Sequence, residues 1–253
     1  GAGLNTDRVG TAGMKLTGYG IVKLYGSASG AIEEAMGPMV VSNGINTLTL
    51  TDFGSQTTLR AASLSAQDSG LLKIDGLGGI KKFMLDSAPT MVGGIVPFVL
   101  SGSTTNPPVA TLATYDAVNG LRLMDPATEF VNVAASVGLV PVGGGGGLAP
   151  TDNVRVLGET TATPTLPDVL NIPASTTVNS LILHSTTVDT SGDQLFQVNI
   201  AAGETLTVSS GRLVLGRSGT KNVWVEFRGG TIDFGAGDAV LEGTNPYPRF
   251  YRD

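Results

Sequence analysis

The chain lacks cysteine and has a single histidine, which excludes disulfide bonds and thiolate metal sites and argues against a zinc centre or a Ser-His triad. Charged residues make up 14% of the chain, against about 25% in ordinary globular domains. No apolar run approaches the roughly 20 residues that a membrane-spanning helix requires. The net charge of −6 argues against nucleic acid and against anionic membranes as partners.

What the chain does contain is 36 glycines, 13 prolines and a hydrophobic fraction of 41%. Abundant Val, Leu and Ile argue against disorder, so the glycines indicate many corners between short strands. The chain begins Gly1-Ala2-Gly3, and we expect a processed chain whose targeting signal has already been removed. Together these features suggest a secreted protein that is stable without cross-links.

The central stretch from Thr47 to Met124 shows the pattern that recurs elsewhere. Leu48 and Leu50 alternate with threonines, which is the period-two pattern of a strand with one buried face. The same unit of strand, glycine corner and strand occurs at residues 14–24, 39–50 and 206–215, and Asn43-Gly44 is a pair that accepts positive φ. A spacing of roughly 20–30 residues between units predicts an all-β solenoid of degenerate coils.

Some segments depart from this pattern. Residues 31–36 have helical composition and predict one helical turn or a short cap before Gly37-Pro38, and residues 93–96 predict a strand inside a Pro-rich loop. We predict four segments: N-terminal coils at 1–136, a Gly/Pro-rich loop excursion or linker at 137–175, C-terminal coils at 176–244 and an aromatic tail at 245–253.

The sequence resembles the autotransporter-associated β-strand repeat proteins. The segments that carry the resemblance, in order, are 7–9, 14–24, 33–50, 93–98, 113–121, 177–181 and 229–232, of which Gly93-Gly-Ile-Val-Pro-Phe98 leading to Ala113-Thr-Tyr-Asp116 and Asn119-Gly-Leu121 is the most specific. It covers most of the chain except roughly 137–175 and the last nine residues. The resemblance implies a right-handed parallel β-helix, an extracellular or surface location and a structural or adhesive role. It carries over no catalytic residues.

The family's members are usually very long, so we expect this chain to be a fragment or an assembling subunit. End coils of a solenoid expose unpaired backbone groups and normally need caps. Head-to-tail contact between unlike ends would build a filament. Tyr247, Phe250 and Tyr251 of the aromatic tail, together with Trp224, are the predicted interface residues. The alternative for the tail is that it folds back over its own last coil.

Other candidate sites have simpler interpretations. Charged residues that could form a polysaccharide-cleaving cluster are Asp189, Asp193, Arg212, Arg217, Lys221 and Arg228, and surface charge on solvated strands is the favoured interpretation. Alternation places His184 on the outer face as a surface histidine. The stretch 229–238 looks superficially like a calcium loop, although Asp at a β-corner is ordinary. Trp224 is expected to point outward with Glu226, as a sugar platform, an interface residue or a corner cover.

These patterns predict a secreted structural protein without enzymatic activity, a subunit of an extracellular filament or surface layer built by head-to-tail stacking of β-solenoids. The first alternative is an adhesin passenger fragment that binds glycans or cell surfaces. The second is a polysaccharide lyase or hydrolase. No cofactor, metal, nucleic acid or membrane insertion is expected, whereas self-association is expected and a glycan or cell-surface partner is left open.

Overall fold

A computed structural model describes residues 9–102, 111–135, 147–158, 168–186, 194–217 and 223–243. The described residues contain only strands, turns and irregular segments. No helix that could span a membrane is found in this part of the chain. They form parallel sheets stacked as a β-solenoid, so the predicted all-β solenoid is confirmed, while its handedness stays a prediction.

The chain divides into two compact units, one with described residues 9–102 and 112–124, the other with residue 111 and described residues from 125 onward. The first unit contains ten strands: β1 (Met14–Thr17), β2 (Ile21–Tyr25), β3 (Ile32–Met36), β4 (Met39–Thr51), β5 (Thr57–Ala61), β6 (Leu64–Asp75), β7 (Lys81–Leu85), β8 (Val99–Gly102), β9 (Ala113–Asp116) and β10 (Gly120–Leu123). The second contains seven: β11 (Val131–Ala134), β12 (Asn153–Leu157), β13 (Asp168–Ile172), β14 (Thr176–Ser185), β15 (Gln194–Arg217), β16 (Val223–Asp233) and β17 (Val240–Gly243).

Coil stacking in the first unit follows a spacing close to 25 residues. Met14 pairs with Met39 and Met39 pairs with Leu64, each 25 residues further along the chain. The corners keep the same spacing, because consecutive positive-φ residues occur at 18–19, 43–44 and 68–69. The predicted positive φ of the Asn43-Gly44 pair is therefore confirmed, and the two neighbouring coils turn in the same way.

Side chains on the inner faces of the coils form one core in each unit. In the first unit the buried inward side chains include Leu24, Leu48, Leu50, Leu72 and Ile74, with Leu24 beside Leu50 and Leu48 beside Ile74 in register. In the second unit, the alternation predicted for β14 and β15 places Leu181, Leu183, Phe196, Val198 and Leu213 inward, and these residues are fully buried. Period-two alternation thus identifies the core correctly in both units.

An antiparallel hairpin ends the parallel ladder of one sheet in the first unit. β10 pairs with β7 through Leu121 and Phe83, and β9 pairs only with β10 in the described sheet. The hairpin turn is held by Asp116, whose carboxylate accepts the backbone N–H of Asn119 at 2.7 Å and the Arg122 side chain at 2.8 Å. The hydrogen bond from Arg122, followed in size by those from the backbone and side chain of Asn119, holds the pKa of Asp116 well below its usual range.

Several local predictions are corrected. The helical turn predicted at 31–36 is strand β3, because pairing with β5 and burial of Ile32, Glu34 and Met36 override helical composition. The strand predicted at 93–96 is a turn between Val92 and Ile95, with Gly93 and Gly94 at positive φ.

The single excursion predicted across 137–175 is also corrected, because β12 and β13 lie within it and pair with β14 and β15. Residues 137–146 and 159–167 of that range lie outside the described residues, as does the predicted tail at 245–253. The boundary between the compact units falls at 124–125, ahead of the predicted end of the first coils at 136.

Candidate functional site

The outward face of β13, β15 and β16 carries the only tryptophan of the chain. Because Cα partners lie side by side in a parallel sheet, outward residues of the three strands form rows. One row is Val169, Gln197 and Glu226, and the next is Asn171, Asn199 and Arg228. Trp224 and its partner Leu195 precede these rows. We call these eight residues the platform.

Hydrogen bonds fix the polar side chains of the platform. Gln197 donates from Nε2 to Glu226 Oε2 at 3.0 Å, and Asn199 donates from Nδ2 to Asn171 Oδ1 at 3.3 Å. Arg228 Nη2 lies 2.9 Å from the same Glu226 oxygen, and 45% of the Arg228 side chain is exposed. The platform therefore presents a partly exposed indole beside ordered amides and one internally balanced ion pair.

Trp224 is the predicted site residue that the structure describes. It is partly exposed and lies on the outward face with Glu226, as predicted, since Val225 between them is fully buried. Tyr247, Phe250 and Tyr251 lie outside the described residues, so their predicted interface role stays a prediction. The sequence does not reveal the amide rows beside Trp224. Pairing across coils would have been needed to find them, because Asn171, Gln197 and Glu226 are far apart in sequence.

Of the six charged residues that could form a polysaccharide-cleaving cluster, the structure describes the side chains of Arg212 and Arg228, and these two are not paired in register. Arg212 is 1% exposed and lies 2.6 Å from Glu242, so its interpretation as surface charge is wrong. Its neighbours in register are Ser180 and Val240, whereas Arg228 is paired with Asn199. Burial lowers the pKa of Arg212, and Glu242 opposes that shift. Asp189, Asp193 and Lys221, and the side chain of Arg217, lie outside the described residues.

His184 is buried with only 3% exposure, which corrects the predicted surface position. Alternation does direct it away from the core side chains Leu181 and Leu183, but that outer face is itself buried, as Ile182 and Val214 show. Burial, together with the nearby positive charge of Arg155, lowers the pKa of His184 to about 4. The imidazole is consequently neutral at physiological pH.

The stretch 229–238, which looked superficially like a calcium loop, is the end of strand β16 up to Asp233 followed by a turn and a bend. Gly229 has positive φ within β16, and Asp233 accepts the N–H of Gly235 at 2.9 Å, as Asp commonly does at a corner. A grouping of three or more His, Asp or Glu residues that could hold a metal ion is not found among the described residues.

The first coil presents a second outward feature, also missed from the sequence. Tyr19 is 74% exposed, Ile21 65% and Tyr25 50%. β2 pairs with β4 on one side only within the described sheet, so these side chains lie along a sheet edge. Alternation around the buried Leu24 could have indicated that Ile21 and Tyr25 point outward; only the topology shows that their strand is an edge.

A scan against protein-family models gives no match, and searches of curated proteins and of solved structures return none either. The resemblance to the autotransporter-associated β-strand repeat proteins therefore stays a prediction from the sequence segments that carry it. The features of the described residues that bear on function are the platform, the solenoid fold and the edge of the first coil along β2 with Tyr19, Ile21 and Tyr25, which we call the first-coil edge.

Proposed function

We propose that this chain is a secreted structural protein, a subunit of an extracellular filament or surface layer in which β-solenoids stack head to tail. Its role is mechanical rather than catalytic, because backbone pairing between coils and stacked Leu, Ile and Val side chains within each unit resist extension. The observation that carries the proposal is the first-coil edge, where an open parallel strand coincides with exposed Tyr19, Ile21 and Tyr25.

Backbone geometry supports addition of a further strand at this edge. Gly26 donates its N–H to the carbonyl of Thr51, and Thr47 donates to that of Gly20. Along a parallel strand the N–H groups alternate between the two sides, so those of Ile21, Lys23 and Tyr25 point toward the open edge. Exposed edges of this kind pair readily with another chain. Apolar side chains beside such an edge would be buried by the same contact.

The occupant that we propose is the C-terminal part of the second unit of another copy, where β16 and β17 are the last described strands and each pairs only with β15. Contact between two unlike ends is heterologous and does not close, so it propagates as a filament. A lysine on an edge strand opposes such pairing, and Lys23 is the one charged residue in β2.

The test compares the wild-type chain with Lys23→Pro and Ile21→Lys by sedimentation velocity and negative-stain electron microscopy. Lys23→Pro removes an N–H that faces the open edge and leaves the bonds to β4 in place. Ile21→Lys replaces an exposed apolar side chain by a charge. We expect wild-type filaments or sheets to be lost in both variants, with circular dichroism showing the same folded chain.

Thr49→Lys is the matched control, since Thr49 lies one coil inward, between Lys23 and Asp75. This variant should assemble as the wild type does. Wild-type protein that remains monomeric at every soluble concentration would contradict the proposal, as would edge variants that assemble normally.

A further inference from the structure

The platform on β13, β15 and β16 combines three side-chain types on one outward sheet face: a partly exposed indole, ordered amides and a paired carboxylate and guanidinium. Hydrogen-bonded amides and ion pairs are common on solvated strands. Their placement in register beside the single tryptophan is what requires an explanation. We propose that the platform binds a neutral polysaccharide chain.

Trp224 supplies the apolar contact. A sugar ring has one face made largely of C–H groups, and an indole offers a large, rigid apolar surface on which such a face stacks. Leu195 is the Cα partner of Trp224 and is also partly exposed, so the apolar contact extends across two strands. Because the remaining outward residues are polar apart from Val169, the platform suits a ligand that is mostly hydroxylated.

Gln197, Asn199 and Asn171 supply the directional contacts. The Gln197 amide donates to Glu226, which leaves its carbonyl oxygen aimed away from that bond and able to accept from a hydroxyl. The Asn199 amide is oriented in the same manner by Asn171. Outward positions recur at roughly 6.6 Å along each strand and about 4.8 Å between strands, so several hydroxyls of one chain can be met at once.

The charges of the platform and of the whole chain favour a neutral ligand. Glu226 and Arg228 lie 2.9 Å apart and balance each other, so the platform itself has no net charge. The whole chain carries −6, which disfavours acidic polysaccharides and nucleic acids by long-range repulsion. A protein partner would need a larger apolar centre than one indole, one leucine and one valine provide. The platform therefore favours a neutral glycan.

Because the chain has a single tryptophan, its fluorescence reports on the platform alone. Hydroxyethylcellulose, galactomannan and laminarin serve as neutral probes, with polygalacturonate and alginate as acidic ones. We expect at least one neutral probe to shift Trp224 emission to the blue and to reduce its quenching by acrylamide, in a saturable manner. The acidic probes should leave both properties unchanged.

Variants are compared by affinity electrophoresis and calorimetry with the neutral probe that binds. Trp224→Ala should weaken binding about tenfold or more, as loss of a central aromatic anchor does. Gln197→Ala keeps the fluorescent reporter and should weaken binding about threefold through one lost hydrogen bond. Phe53→Ala, which removes an aromatic side chain that is 56% exposed in the first unit, is the control and should bind as the wild type.

Three results would overturn the proposal. One is the absence of any fluorescence change or retardation with all three neutral probes. Another is undiminished binding by a Trp224→Ala protein whose circular dichroism matches the wild type. The last is preferential binding of the acidic probes. Filament formation is measured separately, so a failed filament proposal leaves this test intact.

Discussion

Asn46 shows how a single polar residue stabilises a coil corner. Its side chain is fully buried, and its Oδ1 accepts the N–H of Gly20 at 3.0 Å. Its Nδ2 donates to the carbonyls of Ser42 and Gly44. The bond to the Ser42 carbonyl is buried and the bonds to Gly20 and Gly44 are partly buried, and a buried backbone group left without a partner costs about 1–3 kcal/mol. The amide thus links two neighbouring coils where the strand ladder is interrupted.

His184 is the residue whose charge state should control stability in mild acid. Its pKa is lowered from 6.5 to about 4 in the folded chain, so the unfolded chain binds the proton more readily. Stability contributed by the neutral form is complete above pH 6.5 and is lost as the pH falls toward 4. We expect the free energy of unfolding to drop by about 3 kcal/mol across that window.

The measurement is urea unfolding at a series of pH values, for the wild type and for His184→Gln. The glutamine variant keeps a neutral polar side chain and should show a flatter dependence between pH 6.5 and 4. Because the chain has a single histidine, its imidazole can be titrated directly by NMR. An imidazole that titrates near 6.5, or an unchanged slope in the variant, would disprove the assignment.

Among the elements, the corners set how closely successive coils approach. Gly76 follows β6 with φ of +93°, and a Cβ there would overlap the carbonyl oxygen of Leu50 on the neighbouring coil. Gly54 follows β4 with a similar φ of +98°, yet a Cβ there would meet no atom within 4 Å. The two glycines have a similar φ and differ in the space around them.

Alanine substitutions at Gly54 and Gly76 separate the cost of positive φ from the cost of overlap with the neighbouring coil. Gly54→Ala should cost about 1 kcal/mol, the ordinary penalty of positive φ for an L-residue. Gly76→Ala should cost about 3 kcal/mol or more, because the coil spacing must also open. Chemical unfolding measures both variants, which lie in the same unit. Equal costs for the two would show that coil approach at Gly76 contributes nothing.

At the scale of the whole molecule, charge opposes the assembly proposed above. Each copy carries −6, so two copies repel one another over a Debye length of about 10 Å at 0.1 M salt. The proposed contact rests on backbone pairing and apolar side chains, which salt does not weaken. Salt should therefore promote assembly rather than dissolve it.

Sedimentation velocity at roughly 10 mM and roughly 300 mM salt checks this expectation. We expect the weight-average size of the wild type to increase with salt, and the Ile21→Lys variant to remain monomeric at both concentrations. Assemblies that dissociate at the higher salt would indicate ion pairs between copies and would contradict the proposed edge contact.

The class of fold and most of the core can be predicted from the sequence alone. Alternation at Leu48 and Leu50, or at Leu181 and Leu183, is a local property of the strand, and the Asn43-Gly44 corner follows from local backbone preference. Such features can be predicted because each depends on residues close together in the chain. The repeat near 25 residues was visible in outline for the same reason.

Which outward faces are exposed depends on how the folded chain packs. His184 and Arg212 alternate outward as predicted for strands, yet both are buried, because burial of an outer face depends on what else packs there. The strand at 32–36 forms because β5 offers a partner, against its own helical composition. The platform and the first-coil edge likewise arise from pairing between residues roughly 25–30 positions apart, and sequence alternation alone does not reveal that register.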